Sequence, residues 1–207
     1  MFWAAFLFKA PKKFKKGRFF MSASIHFGGS RALPPRFVPQ VAAVVQASLS
    51  AGSAVRVGCA VGADQFVIQA ALSQPQRLSI FAQFSASGAG AFSGSAVQPV
   101  FSAQQAGAQV SFLAGGPLQV PLRARLLRRS IAALRGSSAA VFFLASPSSA
   151  GSLNVAAQAA ALSIPVFVFP FGFIGQPQNL RFLPGAWRPA SFAGSPCLQW
   201  FAGPSFF

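Results

Sequence analysis

Residues Arg123–Gly172 read RARLLRRSIAALRGSSAAVFFLASPSSAGSLNVAAQAAALSIPVFVFPFG. The helical stretch that this run enters, Val120–Leu134, puts Leu126, Leu127, Ile131, Ala133 and Leu134 on one face at about 100° per residue. Arg125, Arg128, Arg129 and Arg135 fall on the opposite face, and Arg123 falls on the inner side of the first turn. Ala139–Ala145 is an uninterrupted apolar run of strand length, Ala150–Leu162 is again helical, and Pro165–Pro170 is a second short apolar run. Short, fully apolar strands that alternate with helices are the mark of a parallel sheet covered on both faces.

The same alternation continues upstream. Ser24–Phe27 reads as a strand, and Gly28–Gly29–Ser30–Arg31 as its turn. Pro34 and Pro35 open a helix that runs to Ser50, with Val38, Val41, Ala42, Val45 and Leu49 at helical spacing. Ala54–Gly58 is a Val-rich strand, Gly62–Ala63–Asp64 starts a helix through Leu72, and Leu78–Phe84 is a strand. Ser85–Gly94 is a small-residue loop, Ala96–Ala106 a weaker helix, Gln109–Leu113 a strand, and Gly115–Gly116–Pro117 a break. The expected class is therefore α/β: a Rossmann-like, doubly wound, mainly parallel sheet with helices on both faces. Residues 21–172 would form this domain, 1–20 a basic apolar leader or arm, and 173–207 a Pro/Gly/aromatic tail packed on it, with a short strand at Leu198–Phe201.

Composition narrows the chemistry. The chain of 207 residues carries 17 Lys and Arg against a single acidic residue, Asp64, for a net charge of +16. Paired-carboxylate catalysis, calcium loops and two-metal sites all need more acidic oxygens than that. One His (His26) and two Cys (Cys59, Cys197) do not make a four-ligand zinc site, so neither a metal nor a cofactor is expected. Two distant Cys form no disulfide framework, which fits a cytoplasmic, reducing setting. Met1–Phe8 and Ile164–Gly175 are too short to span a bilayer, so no transmembrane segment is expected. All five Lys lie between Lys9 and Lys16, with Arg18 just after them. That arm reads as a nucleic-acid contact, as a membrane-surface segment or as an unstructured leader. Without it, 11 Arg and one Asp leave the rest of the chain at +10.

Ligands of open α/β sheets bind beyond the carboxyl ends of the strands. Three turns at that edge have suitable chemistry. Gly28, Gly29, Ser30 and Arg31 offer close backbone approach and a planar cation. Gly58–Asp64, with Gly62 before Asp64, leads into a helix N-terminus. Ser146–Ser152, with Ser148, Ser149, Gly151 and Ser152, brings hydroxyls and free N–H groups to another. Each feature also reads as ordinary capping; their convergence on one edge marks a site.

With these residues in place, Arg123–Gly172 resembles the second half of the Rossmann-like domain of DNA-processing protein A (DprA, also called Smf). HFGGSRALPP resembles that family's Gly-Ser-Arg turn, and VGCAVGADQFVIQAAL its acidic helix start after a Gly turn. The similarity covers about 150 residues in order. The wider group includes the cytokinin-activating phosphoribohydrolases. The resemblance implies single-stranded nucleic acid or nucleotide as partner, action with a recombinase, and a homodimer. Arg31 takes the place of the family's phosphate- or DNA-contacting Arg. Arg123 and Arg125 stand at the Arg-Asn-Arg motif, whose Asn is Ala124 here; Gly151 and Ser152 match the third turn, and Asp64 the acidic residue of the second. Ser146–Gln158 lacks the Glu that phosphoribohydrolases use, which argues against hydrolysis by that route.

Single residues keep two readings each. Asp64 braces a helix N-terminus or contacts a ribose or base. His26, inside a strand, is a satisfied core residue or a catalytic one. Cys59 is there for its small size, or it is a thiol acidified by a helix N-terminus and nearby Arg. The Arg face of the Val120–Leu134 helix has almost no acid to pair with, which favours a polyanion surface that includes Arg128. The leading expectation is a non-catalytic module for single-stranded nucleic acid. Its rivals are a nucleotide-binding or nucleotide-cleaving domain and an interaction protein that docks on acidic partners or membrane.

Overall fold

The computed structural model describes residues 23–91, 93–113 and 120–203; the expectations for the basic arm and for Gly115–Pro117 lie outside them. The described residues form one eight-stranded sheet in the order β4-β3-β2-β1-β5-β6-β8-β7. Its strands are β1 (Ser24–Gly29), β2 (Ala54–Val57), β3 (Leu78–Ala82), β4 (Gln109–Phe112), β5 (Ala139–Leu144), β6 (Val166–Pro170), β7 (Gly185–Phe192) and β8 (Ser195–Ala202). Strands β1–β6 pair in parallel, and β8 turns the sheet antiparallel at β6. The helices are α1 (Val38–Ser50), α2 (Ala63–Ala71), α3 (Val97–Gln105), α4 (Leu122–Leu134) and α5 (Ala150–Ala161). The expected α/β class, with a mainly parallel sheet, is the observed one.

Both sheet faces are covered, and β5 shows how. All six of its residues, AAVFFL, are buried. Val141 and Phe143 join Phe27, Val57 and Ile80 in a core under α1, α2 and α3. Ala140, Phe142 and Leu144 join Leu134, Leu153, Ala156 and Val168 in a second core under α4 and α5. A parallel strand buried on both faces has no polar alternate position, so its sequence is a continuous apolar run. The chain works outward from β1 through β2, β3 and β4, then crosses back to lay β5 on the other side of β1. The switch point thus lies between the ends of β1 and β5.

Two elements differ from the sequence expectations. β1 extends through Gly28 and Gly29, which pair with Phe142 and Phe143, where a turn was expected. The region after Gly172 holds two strands, not one. Ala193 and Gly194, both at positive φ (51° and 78°), make the tight turn that right-handed strand twist favours. Trp187 and Trp200 face each other across this hairpin, 5.1 Å apart and edge-on, buried against Leu180 and Val168. Pro189 obscured β7, but β7 is an edge strand, where a missing N–H costs no ladder bond.

Candidate functional site

The three sequence-predicted turns meet at the switch point, and Ser30 is their hub. Its backbone N–H donates to Phe143 O at 2.9 Å. Its hydroxyl accepts from Ala145 N–H at 3.0 Å and lies 2.8 Å from the Ser149 hydroxyl. Ser149 uses its own proton on Ser146 O at 3.0 Å, so Ser30 is the donor between the two. Ser30 O accepts from Ala63 N–H at 3.2 Å, which ties in the second turn. Two glycines make these approaches feasible. A Cβ on Gly29 would run into Phe143 O and stand 2.8 Å from Ala63 Cβ. Gly62 has φ +80°, and a Cβ there would meet the Arg31 carbonyl. Gly62 is thus a packing residue beneath the first turn rather than part of the cleft wall.

Helix α4 is rotated from the orientation that its apolar periodicity suggests. Arg129, expected on the outer face, is 8% exposed, and its Nη1 lies 3.3 Å from Asp64 Oδ2. The cause is electrostatic. Asp64 is 5% exposed, and a buried carboxylate without a cation is far costlier than a partly uncovered Leu. Leu126 and Leu127 are correspondingly only half-buried and line a cleft instead of the core. Asp64 Oδ2 also accepts from Ala60 N–H at 3.0 Å, which closes the second turn. Burial pushes the Asp64 carboxyl above its ordinary range, against the pull of Arg129 and of that N–H. Of its two expected roles, bracing is the one that these bonds display.

Cys59 is not acidified. Its thiol donates to Gln83 Oε1 at 2.7 Å inside the core, and burial raises its pKa despite Arg129 nearby. His26 is buried in β1, edge-on to Phe142 at 5.7 Å, and its Nδ1 has no hydrogen-bond partner among the described residues. It is therefore a core residue but not a satisfied one. Burial first, then Arg129 and Arg56, lower its pKa from 6.5 to about 3, which keeps the ring neutral.

Above His26 and Phe142, a cleft of about 1040 Å³ opens between α4 and α5 toward the carboxyl ends of β1 and β5. Of the residues singled out from sequence, Gly28, Gly29, Ser30, Arg31, Asp64, Arg123, Ser149, Gly151 and Ser152 line it. Gly62, Arg125, Arg128 and Ser148 do not. Arg125 donates to Gly90 O at 3.0 Å and so clasps the Ser85–Gly94 loop. Arg128 is exposed on α4 away from the cleft, and Ser148 is exposed in the third turn. Sequence reading missed an entire wall. Gln178, Asn179, Arg181 and Phe182, from the β6–β7 connection, line the cleft together with Arg123 and Leu127. Gln178 N–H donates to Pro147 O at 2.9 Å, and Trp187 Nε1 donates to Gln178 O at 3.2 Å, fixing this segment beside the third turn. The β7–β8 hairpin, of which the sequence shows only the second strand, brings the segment back.

The cleft thus presents Arg31, Arg123, Arg129 and Arg181 against one carboxylate, Asp64, which Arg129 already neutralises. Backbone N–H groups and hydroxyls of Ser149–Ser152 sit at the start of α5. Among the described residues, no cluster of His, Cys, Asp or Glu is suited to hold a metal, and no helix is long and apolar enough to cross a membrane.

This architecture has solved counterparts. DNA processing protein A from Helicobacter pylori, described for its unique single-stranded DNA binding mode, superposes with a TM-score of 0.56 at 17% identity, over 77% of this chain and 67% of that one. The fold is DprA-like. DprA from Streptococcus pneumoniae superposes with a TM-score of 0.57 at 19% identity, over 74% of this chain and 52% of that one. The chain therefore spans about half the length of the pneumococcal DprA structure. No protein-family model and no curated protein matches the sequence.

Proposed function

We propose that the chain is a DprA-like binding module for single-stranded nucleic acid, whose phosphates lie in the switch-point cleft. The observation that carries this reading is the charge of the cleft. Arg31, Arg123 and Arg181 line it from the turn after β1, from α4 and from the β6–β7 connection, and its one carboxylate is already engaged by a fourth, Arg129. A surface of that sign at strand ends and a helix N-terminus suits phosphodiesters. The DprA-like fold, one of whose solved members binds single-stranded DNA, supports the same reading. Arg31 would hold one phosphate, the start of α5 at Gly151 and Ser152 a second, and Arg123 would extend the track along α4, while Gly29 and Ser30 brace the turn that carries Arg31.

The test is fluorescence anisotropy of a labelled single strand across a salt series, competed with mononucleotides. Each phosphate neutralised contributes about 0.7 to the slope of log affinity against log salt for single strands. A track should give a slope of about 2 or more, whereas a pocket for one nucleotide should give a shallow slope and full competition. Arg31→Ala and Arg123→Ala should each weaken binding and flatten the slope; Arg128→Ala, outside the cleft, should do little. Unchanged affinity and slope in the Arg31→Ala/Arg123→Ala double variant would refute the assignment.

A further inference from the structure

Phe182 occupies a position that chain packing alone does not explain. It lies in a tight turn, Leu180–Leu183, closed by a bond from Leu183 N–H to Leu180 O at 3.4 Å. Leu180 is buried at 2% exposure, and Leu183 packs on the same core, so both ends of the turn are anchored. The two residues between them, Arg181 and Phe182, are exposed and border the cleft. Phe182 has φ +61°, the left-handed conformation that favours Gly or Asn at this turn position and is strained for a bulky aromatic. The residue is 97% exposed, so no burial offsets the strain. The fold therefore holds a solvated aromatic residue at the rim of an arginine-lined cleft, on a backbone turn anchored at both ends, next to Arg181.

We propose that Phe182 is a base-stacking platform and that Arg181 holds the phosphate adjoining the stacked base. The assignment rests on the nucleic-acid reading above and names the group that binds the nucleobase rather than the backbone. An aromatic face accepts any base, and a backbone already fixed by the turn leaves only the ring's own rotamers to be ordered on stacking. An exposed ring beside phosphate-suited cations is what a single strand requires, whereas duplex bases, stacked on one another, offer it no face. The ligand contact is thus expected to be sequence-tolerant and to discriminate single strands from duplex.

The experiment uses the full chain and a single strand carrying one 2-aminopurine, with a matched strand in which that base is abasic. Wild type should quench the 2-aminopurine on binding and bind the abasic strand more weakly. Phe182→Ala should lose about 5- to 150-fold in affinity for the intact strand, the range for one stacked base. It should bind intact and abasic strands alike, keep the wild-type salt slope, and keep its Tm, because the ring is exposed. Phe182→Trp should restore both affinity and quenching, and Phe182→Leu should restore neither fully. Arg181→Ala should instead flatten the salt slope. Wild-type affinity and quenching in Phe182→Ala would overturn the stacking role while leaving the phosphate track intact. If Arg31→Ala/Arg123→Ala also binds as wild type does, or wild type binds no strand, the nucleic-acid reading fails with it.

Discussion

His26 links the stability of the fold to pH in a way that can be measured. Its ring is buried in β1 with Arg56 and Arg129 nearby, and its pKa falls from 6.5 to about 3. The unfolded chain therefore binds a proton that the folded chain refuses, and stability must fall as pH falls. The contribution is fully present above pH 6.5, shrinks through the window between the two values, and is gone below about 3. A gap of about 3.5 units at 1.36 kcal/mol per unit sets the limit at ~5 kcal/mol, and about 2 kcal/mol of that is lost by pH 5. For a chain of this size, 2 kcal/mol corresponds to a Tm drop of about 4–8 °C. The perturbation is His26→Phe, which keeps a ring against Phe142 and removes both the titration and the unpartnered Nδ1. Urea unfolding of both proteins at pH 7 and pH 5 gives the comparison. Wild type should lose ~2 kcal/mol more than the variant between those values. Asp64, whose raised pKa acts in the opposite direction, is present in both proteins and cancels to first order. Equal losses in the two proteins would show that His26 accepts its proton in place and would refute the account of its burial.

The buried ion pair makes a second prediction. Asp64→Ala leaves Arg129 charged and buried and should cost about 3–5 kcal/mol, whereas Asp64→Ala/Arg129→Met should recover much of that loss in a chemical-denaturation cycle. Gly62→Ala should cost ~1–2 kcal/mol from the left-handed φ alone, and more from the collision with Arg31 O; it should also weaken strand binding, because the first turn must move. Arg56→Met should remove the bonds to Ala132 O and Ala133 O at the end of α4, costing ~1–3 kcal/mol in denaturation while leaving the salt slope of strand binding unchanged.

How much of this was legible depends on which force left a periodic trace. Apolar burial did, so the alternation of strands and helices, and hence the sheet and its switch point, could be read from runs such as Ala139–Leu144. Ser30, Arg31 and Ser149–Ser152 were placed on one edge for the same reason. Forces that act through one pair of atoms left none. The Asp64–Arg129 pair rotates α4 against its own hydrophobic stripe, and no count of Leu positions reveals that. Gly28 and Gly29 look like a turn, yet they finish β1, where Gly29 is needed because only glycine tolerates the approach of Phe143 O and Ala63. The strand at Leu198–Phe201 could be read, but its partner β7 hid behind Pro189, and with the hairpin went the cleft wall that carries Arg181 and Phe182.

Net charge itself needed division before it meant anything. With a single carboxylate in the described chain, its arginines find partners other than acids. Arg56 caps α4 carbonyls and lies 4.6 Å over the Phe81 ring, Arg77 donates to Leu49 O, and Arg125 donates to Gly90 O. Arg129 takes the one acid. These four serve the fold, and their charge would be present whether or not the chain met a polyanion. Arg123 and Arg181 are different in kind. Both are exposed, and both line one cleft from elements far apart in sequence. A basic composition by itself suggests nucleic acid only weakly, because structural arginines inflate it. Exposed arginines aimed at a common space from elements far apart in sequence are the stronger signal, since no local preference brings them together.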